Sequence, residues 1–207
     1  MIDITGFSEV SPTTLADILG HEQVMNIGIR PMWPEARRAA GPAFTVRCPP
    51  GDNLMLHAAI YRAAPGSVIV VESGDLDYAL AGGNVCAIAQ RHGIEAFVVD
   101  GVMRDLAEVR ELGFPVFARG LIPVPGTRTA VTTLNVQVRC GGVLVSPGDI
   151  VVADEEGVAV TPAVRQEEVL RDAQARQSRE AAESLDDWEQ GHRARIDKIL
   201  SAHGFGD

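Results

Sequence analysis

Phe97-Val98-Val99-Asp100-Gly101-Val102-Met103-Arg104-Asp105, followed by Leu106 to Leu112, is the stretch whose reading decides the fold. A short β-branched apolar run reaches Asp-Gly, and a helical pattern opens directly on an Arg-Asp pair. This is the strand–turn–helix layout in which strand ends present polar side chains to a crevice. An adjacent cation and carboxylate at a helix start can do two jobs. Asp105 can hold a hard divalent metal while Arg104 grips a carboxylate or oxyanion. Equally, the two can form a solvated ion pair that caps the helix.

Working outward, the same grammar repeats. Val68 to Val71 reads as a buried strand, and Ala81-Gly82-Gly83-Asn84 opens a helix that ends at His92-Gly93. Two glycines ahead of a helix N-terminus let backbone N–H groups approach an anion closely, although a plain tight turn looks the same. Pro115 to Ala118 is a further strand. Alternating short strands and helices imply a parallel sheet with right-handed crossovers.

Before this core, Ser11-Pro12 and Gly20 bracket a short helix, with Ser at the N-cap and Pro at the first helical position. Met25 to Arg30 and Gly41 to Arg47 read as strands, with Pro31, Pro34 and Pro42 marking a loop. Asp52 or Asn53 caps a helix from Leu54 to Ala64. His57 lies inside that helix, where packing is the commoner role for a lone histidine.

Beyond Gly126 the texture changes. Val131 to Arg139, Gly142 to Val145, Ile150 to Ala153 and Val158 to Thr161 read as short strands in a hairpin meander, with Asp154-Glu155-Glu156-Gly157 as a turn. Residues 163 to 190 read as one charged helix with a thin apolar stripe, suited to lying across a surface or a neighbouring subunit. Ile196, Ile199 and Leu200 suggest one more small helix. The expected layout is therefore a domain over residues 1–162 and a C-terminal helical extension over 163–207.

Bulk properties exclude several classes. The 207 residues carry a net charge of -10, against the clustered positive charge that nucleic-acid binding needs. No apolar run is long enough to span a bilayer, and the N-terminus shows no basic flank before an apolar core. The expected address is the cytoplasm. Cys48, Cys86 and Cys140 are widely spaced and read as reduced, buried thiols. Lys198 is the single lysine and lies in a polar segment. Schiff-base and pyridoxal chemistry both need a lysine in a dry pocket, so carbon–carbon chemistry on a carbonyl substrate would need a metal as its electron sink.

Laid side by side, these segments resemble the RraA-like family, which includes class II 4-hydroxy-4-methyl-2-oxoglutarate / 4-carboxy-4-hydroxy-2-oxoadipate aldolases and the regulator of ribonuclease E activity A. The resemblance rests on Gly51-Asp52-Asn53-Leu54, Gly82-Gly83-Asn84, Val98 to Asp105, Phe114 to Gly120, Pro147-Gly148-Asp149 and Asp154 to Gly157. It implies an α/β fold, a swivelling three-layer β/β/α domain, assembled as a homotrimer or homohexamer with active sites at subunit clefts. It implies a Mg²⁺ or Mn²⁺ ion held mostly by water plus Asp105, with Arg104 on the pyruvyl group of a 2-oxo acid. Gly82, Gly83, Asn84 and Val85 match the segment whose amides receive the substrate carboxylate. Glu180 matches an acid that reaches the metal waters from a neighbouring subunit. Many family members carry Asp or Glu where Asn84 stands, and an amide cannot accept a proton.

The implied activity is retro-aldol release of pyruvate from 4-hydroxy-2-oxo dicarboxylic acids, with oxaloacetate decarboxylation as a side activity. The second reading is a non-catalytic protein that masks a ribonuclease, as the regulator branch does.

Overall fold

A computed structural model describes residues 5–205 of the chain. After the one-turn helix α1 (Thr5–Ser8), α2 spans Pro12–Leu19, and the Ser11 hydroxyl accepts from the Thr14 N–H at 3.1 Å as its N-cap. Strands β1 (Arg30–Pro31) and β2 (Ala39–Arg47) follow, then α3 (Leu54–Ile60), β3 (Val68–Glu72), α4 (Gly83–Arg91), β4 (Ala96–Met103), α5 (Leu106–Leu112) and β5 (Val116–Leu121). The second half holds β6 (Val138–Cys140), β7 (Val143–Val145), β8 (Ile150–Asp154), β9 (Gly157–Thr161), α6 (Gln166–Ala182) and α7 (Leu185–Ala202).

Seven strands form one sheet in the order β1-β5-β4-β3-β2-β8-β9. The β2-β3-β4-β5 block is parallel, as the alternating pattern requires, and the outer strands join antiparallel. The two ends approach each other: Val24, ahead of β1, bridges Ala159 on β9. The separate β6-β7 hairpin lies against the inner face.

Period-two alternation divides the side chains between two cores. Ile69, Val71, Phe97 and Val99 face α3, α4 and α5, where Phe97 meets Phe114 edge-on with centroids 4.9 Å apart. Val68, Val70, Ala96 and Val98 face inward, onto Val138, Cys140, Val143 and Val145 of the hairpin. This is the three-layer β/β/α arrangement the sequence led us to expect. A third core joins Phe7, Leu15, Ile150, Val152, Val169 and Ala173, so the first half of α6 packs on its own chain.

β2 changes partner midway. Ala39–Pro42 pair with β8 and Ala43–Arg47 with β3. Pro42 sits at the changeover, where its missing N–H costs the ladder least.

Four sequence expectations change. Met25 to Ile29 is a turn, because the Asn26 side chain accepts from Gly28 N–H at 3.1 Å and its carbonyl from Ile29 N–H. Val131 to Gln137 is irregular and runs beside β2, with Asn135 in a left-handed conformation at φ 55°. The charged C-terminal helix is two helices. Ser184 starts the second by accepting from Asp187 N–H, an N-cap signature that the apolar spacing had overridden. Consequently Ile196, Ile199 and Leu200 belong to α7.

β4 runs two residues past Asp-Gly. Between Val99 and Val102 it advances three positions while β5 advances two, from Ala118 to Gly120. One residue is thus bulged at Asp100-Gly101, which bends the strand end and re-aims the turn beyond it. A Cβ at Gly101 would lie 2.8 Å from the Leu80 side chain, so a larger residue there would have to push Leu80 aside.

Gly41 tests the β2 changeover. A Cβ there would sit 2.2 Å from the Gly66 carbonyl oxygen, a backbone atom that cannot rotate away. Gly41→Ala is expected to lower the urea unfolding free energy by about 1–3 kcal/mol, the usual cost of overpacking.

Candidate functional site

The bulge delivers Arg104 and Asp105 to the β4–α5 junction. Arg104 N–H is fixed by the Ala81 carbonyl at 3.0 Å. Asp105 adopts φ 58°, ψ 40°, in the left-handed region that Asp tolerates better than most residues. An N-cap residue normally has extended backbone and turns its side chain onto its own helix. Asp105 does neither, and its side chain makes no capping bond to α5. Instead its Oδ2 reaches across to accept from Gly83 N–H at 3.2 Å and lies 3.4 Å from Arg104 Nε. Of the alternative reading, an ion pair that caps the helix, the ion pair forms and the cap does not.

The glycine pair has a steric reason. A Cβ on Gly82 would lie 2.1 Å from Asp105 Oδ2, and one on Gly83 would lie 2.0 Å from Glu108 Oε2. Gly82 and Gly83 therefore make room for two carboxylates at the start of α4. The next amides, Asn84 and Val85 N–H, have no acceptor among the described residues and point to an anion position at the positive end of the helix.

Arg104 and Asp105 line a cleft of about 270 Å³ with Leu106, Leu121, Ile122 and Pro123. Both side chains are 36% exposed, so the pair is open to a ligand. The structure thus brings Gly82, Gly83, Asn84, Val85, Arg104 and Asp105 to one place. Glu180 is elsewhere within the chain: it lies on α6, accepts from Arg176 at 2.7 Å, and Arg176 also pairs with Asp17.

Two features gave no warning in the sequence pattern as we read it. Glu108 stands one helical turn after Asp105 on α5, so the i, i+3 rule was the available signal. Leu121, Ile122 and Pro123 form the apolar wall, and only topology reveals them.

A metal ion fits this donor set in one form only. Asp105 Oδ1 accepts no hydrogen bond among the described residues, leaving one free carboxylate oxygen at the cleft. Among the described residues no group of three or more His, Cys, Asp or Glu could hold a metal ion. A dication here would take one protein oxygen directly and water for the rest, which suits a hard octahedral ion.

The cysteines are poorly placed to act as nucleophiles. All three are buried. Burial, with Asp105 adding its negative charge, pushes the Cys86 thiol up to about 12. Burial also raises Cys48, to about 11, and Cys140.

With the fold and site in view, comparison with known proteins identifies the class. A family model described as RraA-like: Aldolase/RraA matches residues 12–160, and the chain belongs to that family. A relative from Halalkalibacterium halodurans, named "Putative 4-hydroxy-4-methyl-2-oxoglutarate aldolase", is 37% identical over 200 residues, 95% of each chain. The crystal structure of Streptomyces coelicolor RraAS2, described as an unusual member of the RNase ES inhibitor RraA protein family, superposes with a TM-score of 0.74 at 29% identity. That match covers 93% of this chain and 96% of the other. The RNA-processing inhibitor RraA from Thermus thermophilis matches with a TM-score of 0.68 at 29% identity, over 74% of this chain and 93% of that one. Among the described residues no helix is long and apolar enough to cross a membrane.

His57, on α3, lines a second cavity of about 200 Å³ with Ile60, Tyr61, Asn84, Val85 and Ile88, on the other flank of the α4 start. Burial and the nearby Arg128 cation lower its pKa from the ordinary 6.5, against a backbone hydrogen bond to Leu80 and the Asp52 charge. Protonation therefore favours the unfolded chain. Stability is complete above about 6.5, the unfolded value, and falls as the pH drops below it. Urea melts at pH 7.5 and 5.5 should show a larger loss for the wild type than for His57→Gln.

Proposed function

We propose that the chain is a divalent-metal-dependent lyase that cleaves 4-hydroxy-2-oxo dicarboxylic acids to release pyruvate, with oxaloacetate decarboxylation as a side activity. One observation carries this reading. Asp105 forgoes capping its own helix and holds a left-handed turn that sets its carboxylate beside Arg104 and the Gly83 amide. Such a turn costs most residues about 1–2 kcal/mol and Asp less, and here it turns the carboxylate away from its own helix and toward the start of α4.

Each residue of the cleft has its own task. The Asn84 and Val85 amides, aided by the α4 dipole, receive the C1 carboxylate of the 2-oxo acid. Arg104 presents fixed positive charge where the C2 oxygen becomes negative. As the C3–C4 bond breaks, its electron pair moves to the C2 oxygen, the C4 hydroxyl gives up its proton, and C4 becomes a carbonyl. The resulting enolate takes a proton at C3 to become pyruvate. Asn84 cannot accept the hydroxyl proton, being an amide. Glu108, whose carboxylate stands over Gly83, is the base-bearing side chain this chain places there, directly or through water. A Mg²⁺ or Mn²⁺ ion on Asp105 would supply Lewis-acid stabilisation of the same developing oxyanion. Leu121, Ile122 and Pro123 wall one side of the cleft.

The reading includes assembly as a homotrimer or homohexamer in the cytoplasm. A neighbouring copy would bring Glu180 to the site, exchanging its Arg176 partner for that role. Ribonuclease inhibition is the other reading, favoured by the likeness to RraAS2 over nearly the whole chain and by the net charge of -10. An acidic surface suits masking of basic RNA-binding segments.

Purified protein with magnesium and 4-hydroxy-4-methyl-2-oxoglutarate or oxaloacetate, coupled to lactate dehydrogenase, should release pyruvate well above the free-metal background. Arg104→Ala should lower kcat by on the order of 100-fold or more, the usual cost of one oxyanion donor. Asp105→Ala should abolish turnover and magnesium binding. Gly82→Ala should also silence the site, since its Cβ displaces the Asp105 carboxylate. Background-level pyruvate from the wild type, together with salt-sensitive capture of a ribonuclease, would establish the inhibitor reading instead.

A further inference from the structure

We propose that Arg128 is a second anion contact of the site, which reads the distal carboxylate of the substrate and is held in place by Asp52. This inference rests on the α4 start being the position of the 2-oxo acid carboxylate.

Asp52 is the anchor. It is only 5% exposed, and its carboxylate is spent on the residues that bracket Arg128. Oδ2 accepts from the Thr127 hydroxyl at 2.9 Å, the Thr129 N–H at 2.6 Å, the Thr129 hydroxyl at 3.0 Å and the Ala130 N–H at 3.1 Å. Oδ1 accepts from Leu54 N–H at 2.9 Å, tying the same carboxylate to the start of α3. Burial works to raise the Asp52 pKa, but these bonds outweigh it and hold the carboxyl well below the usual carboxylate range. The backbone reinforces the clamp: Thr127 N–H donates to the Gly51 carbonyl at 2.7 Å and Asn53 N–H to the Thr127 carbonyl at 2.8 Å. Arg128 is thus an exposed side chain on a rigid backbone, fixed on both sides.

What the clamp leaves over is the guanidinium. Arg128 makes no ion pair or hydrogen bond among the described residues. Asp52 cannot neutralise it by contact, since its oxygens are occupied by the loop. Its charge is felt at His57 on α3, the helix whose start Asp52 anchors; the His57 Nε2 is buried without a partner among the described residues. A cation beside a buried neutral imidazole, in a chain of net charge -10, is an unusual expense unless an anion arrives.

Topology brings this cation to the α4 start. The segment after β5 leaves the Arg104–Asp105 cleft at Ile122 and Pro123 and runs past Ala79, with Ala79 N–H donating to the Val124 carbonyl and Gly126 N–H to the Ala79 carbonyl. Residues 79–81 in turn lead into Gly82-Gly83. His57 therefore stands on one flank of the α4 start, with the Arg128 loop anchored by Asp52 at the head of the same helix α3, and Arg104 and Asp105 stand on the other. A ligand with a carboxylate on the Asn84 and Val85 amides has one end fixed; a second carboxylate would meet the guanidinium, which presents a fork of donors suited to it. A neutral alkyl tail gains nothing there. The site is thereby matched to 2-oxo acids with two carboxylates. Asp52 acts as a positioning residue, through the loop.

Binding separates this inference from the lyase reading. Calorimetric titration of the full chain with magnesium uses pyruvate, 2-oxovalerate and 2-oxoglutarate, none of which has a C4 hydroxyl to cleave. The wild type should bind 2-oxoglutarate about tenfold or more tighter than 2-oxovalerate, the scale of one charge-assisted hydrogen bond. Arg128→Gln should erase that gap and leave pyruvate within about twofold, Arg128→Lys should keep part of it, and Asp52→Asn should erase it while amide exchange across residues 126–130 accelerates. An equal affinity for the two longer acids in the wild type, a gap that survives Arg128→Gln, or equal weakening of pyruvate and 2-oxoglutarate overturns the assignment. Pyruvate failing to bind the wild type overturns the underlying site reading, and this inference with it.

Discussion

The site depends on one hydrogen bond between helices that are far apart in sequence: Gly83 N–H to Asp105 Oδ2. It joins the positive end of α4 to the turn between β4 and α5. It can form because Asp105 takes a left-handed backbone, because Gly82 and Gly83 have no side chains to intervene, and because the β4 bulge aims the turn that way. Remove any of the three and the carboxylate and the guanidinium no longer stand against the start of α4, where the free amides are. The rest of the domain supplies rigidity to this contact. Parallel strands carry β3 and β4 to the same end of the sheet, and the helices packed on them fix where α4 begins.

Charge is distributed with the same economy. The carboxylates at the strand ends Glu72 and Asp100 are register partners, yet each is answered by a cation and a backbone amide: Arg47 and Arg139 N–H for Glu72, Arg119 and Gly141 N–H for Asp100. Those acids tie the β6-β7 hairpin under the sheet and are satisfied. Asp52 is satisfied too, by the 127–130 loop. Asp105 is the contrast, with one oxygen engaged and the other open on a cleft that is a third exposed. Where most acids of the inner framework are spent on structure, the one left partly unspent lies beside the free amides of a helix start. Electrostatically that combination invites a cation on one side and a carboxylate on the other.

Much of the fold was legible because it comes from local chemistry. The β-branched runs ending in polar residues gave β3 and β4, and Pro and Gly punctuation gave α2 and the β8-β9 hairpin. The failures share a cause: a side chain or a distant strand overrode the local pattern. Asn26 turned a strand-like run into a loop, Ser184 split a continuous helix, and pairing with β5 carried β4 beyond its Asp-Gly. For the site, the Arg-Asp pair and the double glycine were visible as residues, but not the bond between them, since 22 positions separate Gly83 from Asp105. The Ile122-Pro123 wall gave no signal at all, because an apolar dipeptide in a loop means nothing until the fold sets it against Arg104.

Asn84 puts a neutral side chain at the start of α4, where a charge would act directly on the free amides. An acid at that place would put a carboxylate on the helix start itself; the exposed Asn84 amide leaves that end of α4 less negative. A neutral side chain there has two consequences. The helix terminus becomes more welcoming to an incoming carboxylate, since no fixed anion competes for the Asn84 and Val85 amides. An amide also accepts no proton, so the carboxylate that stands over this end of α4 is Glu108 of α5, one turn beyond Asp105, with Gly83 bare beneath it. Free amides and carboxylates thus stand on two adjacent elements, α4 and α5, joined at this end by Gly83 N–H to Asp105 and further along by Gln90 to the Leu112 carbonyl. The geometry of the first of these bonds sets how the amides, the guanidinium and the carboxylates stand relative to one another.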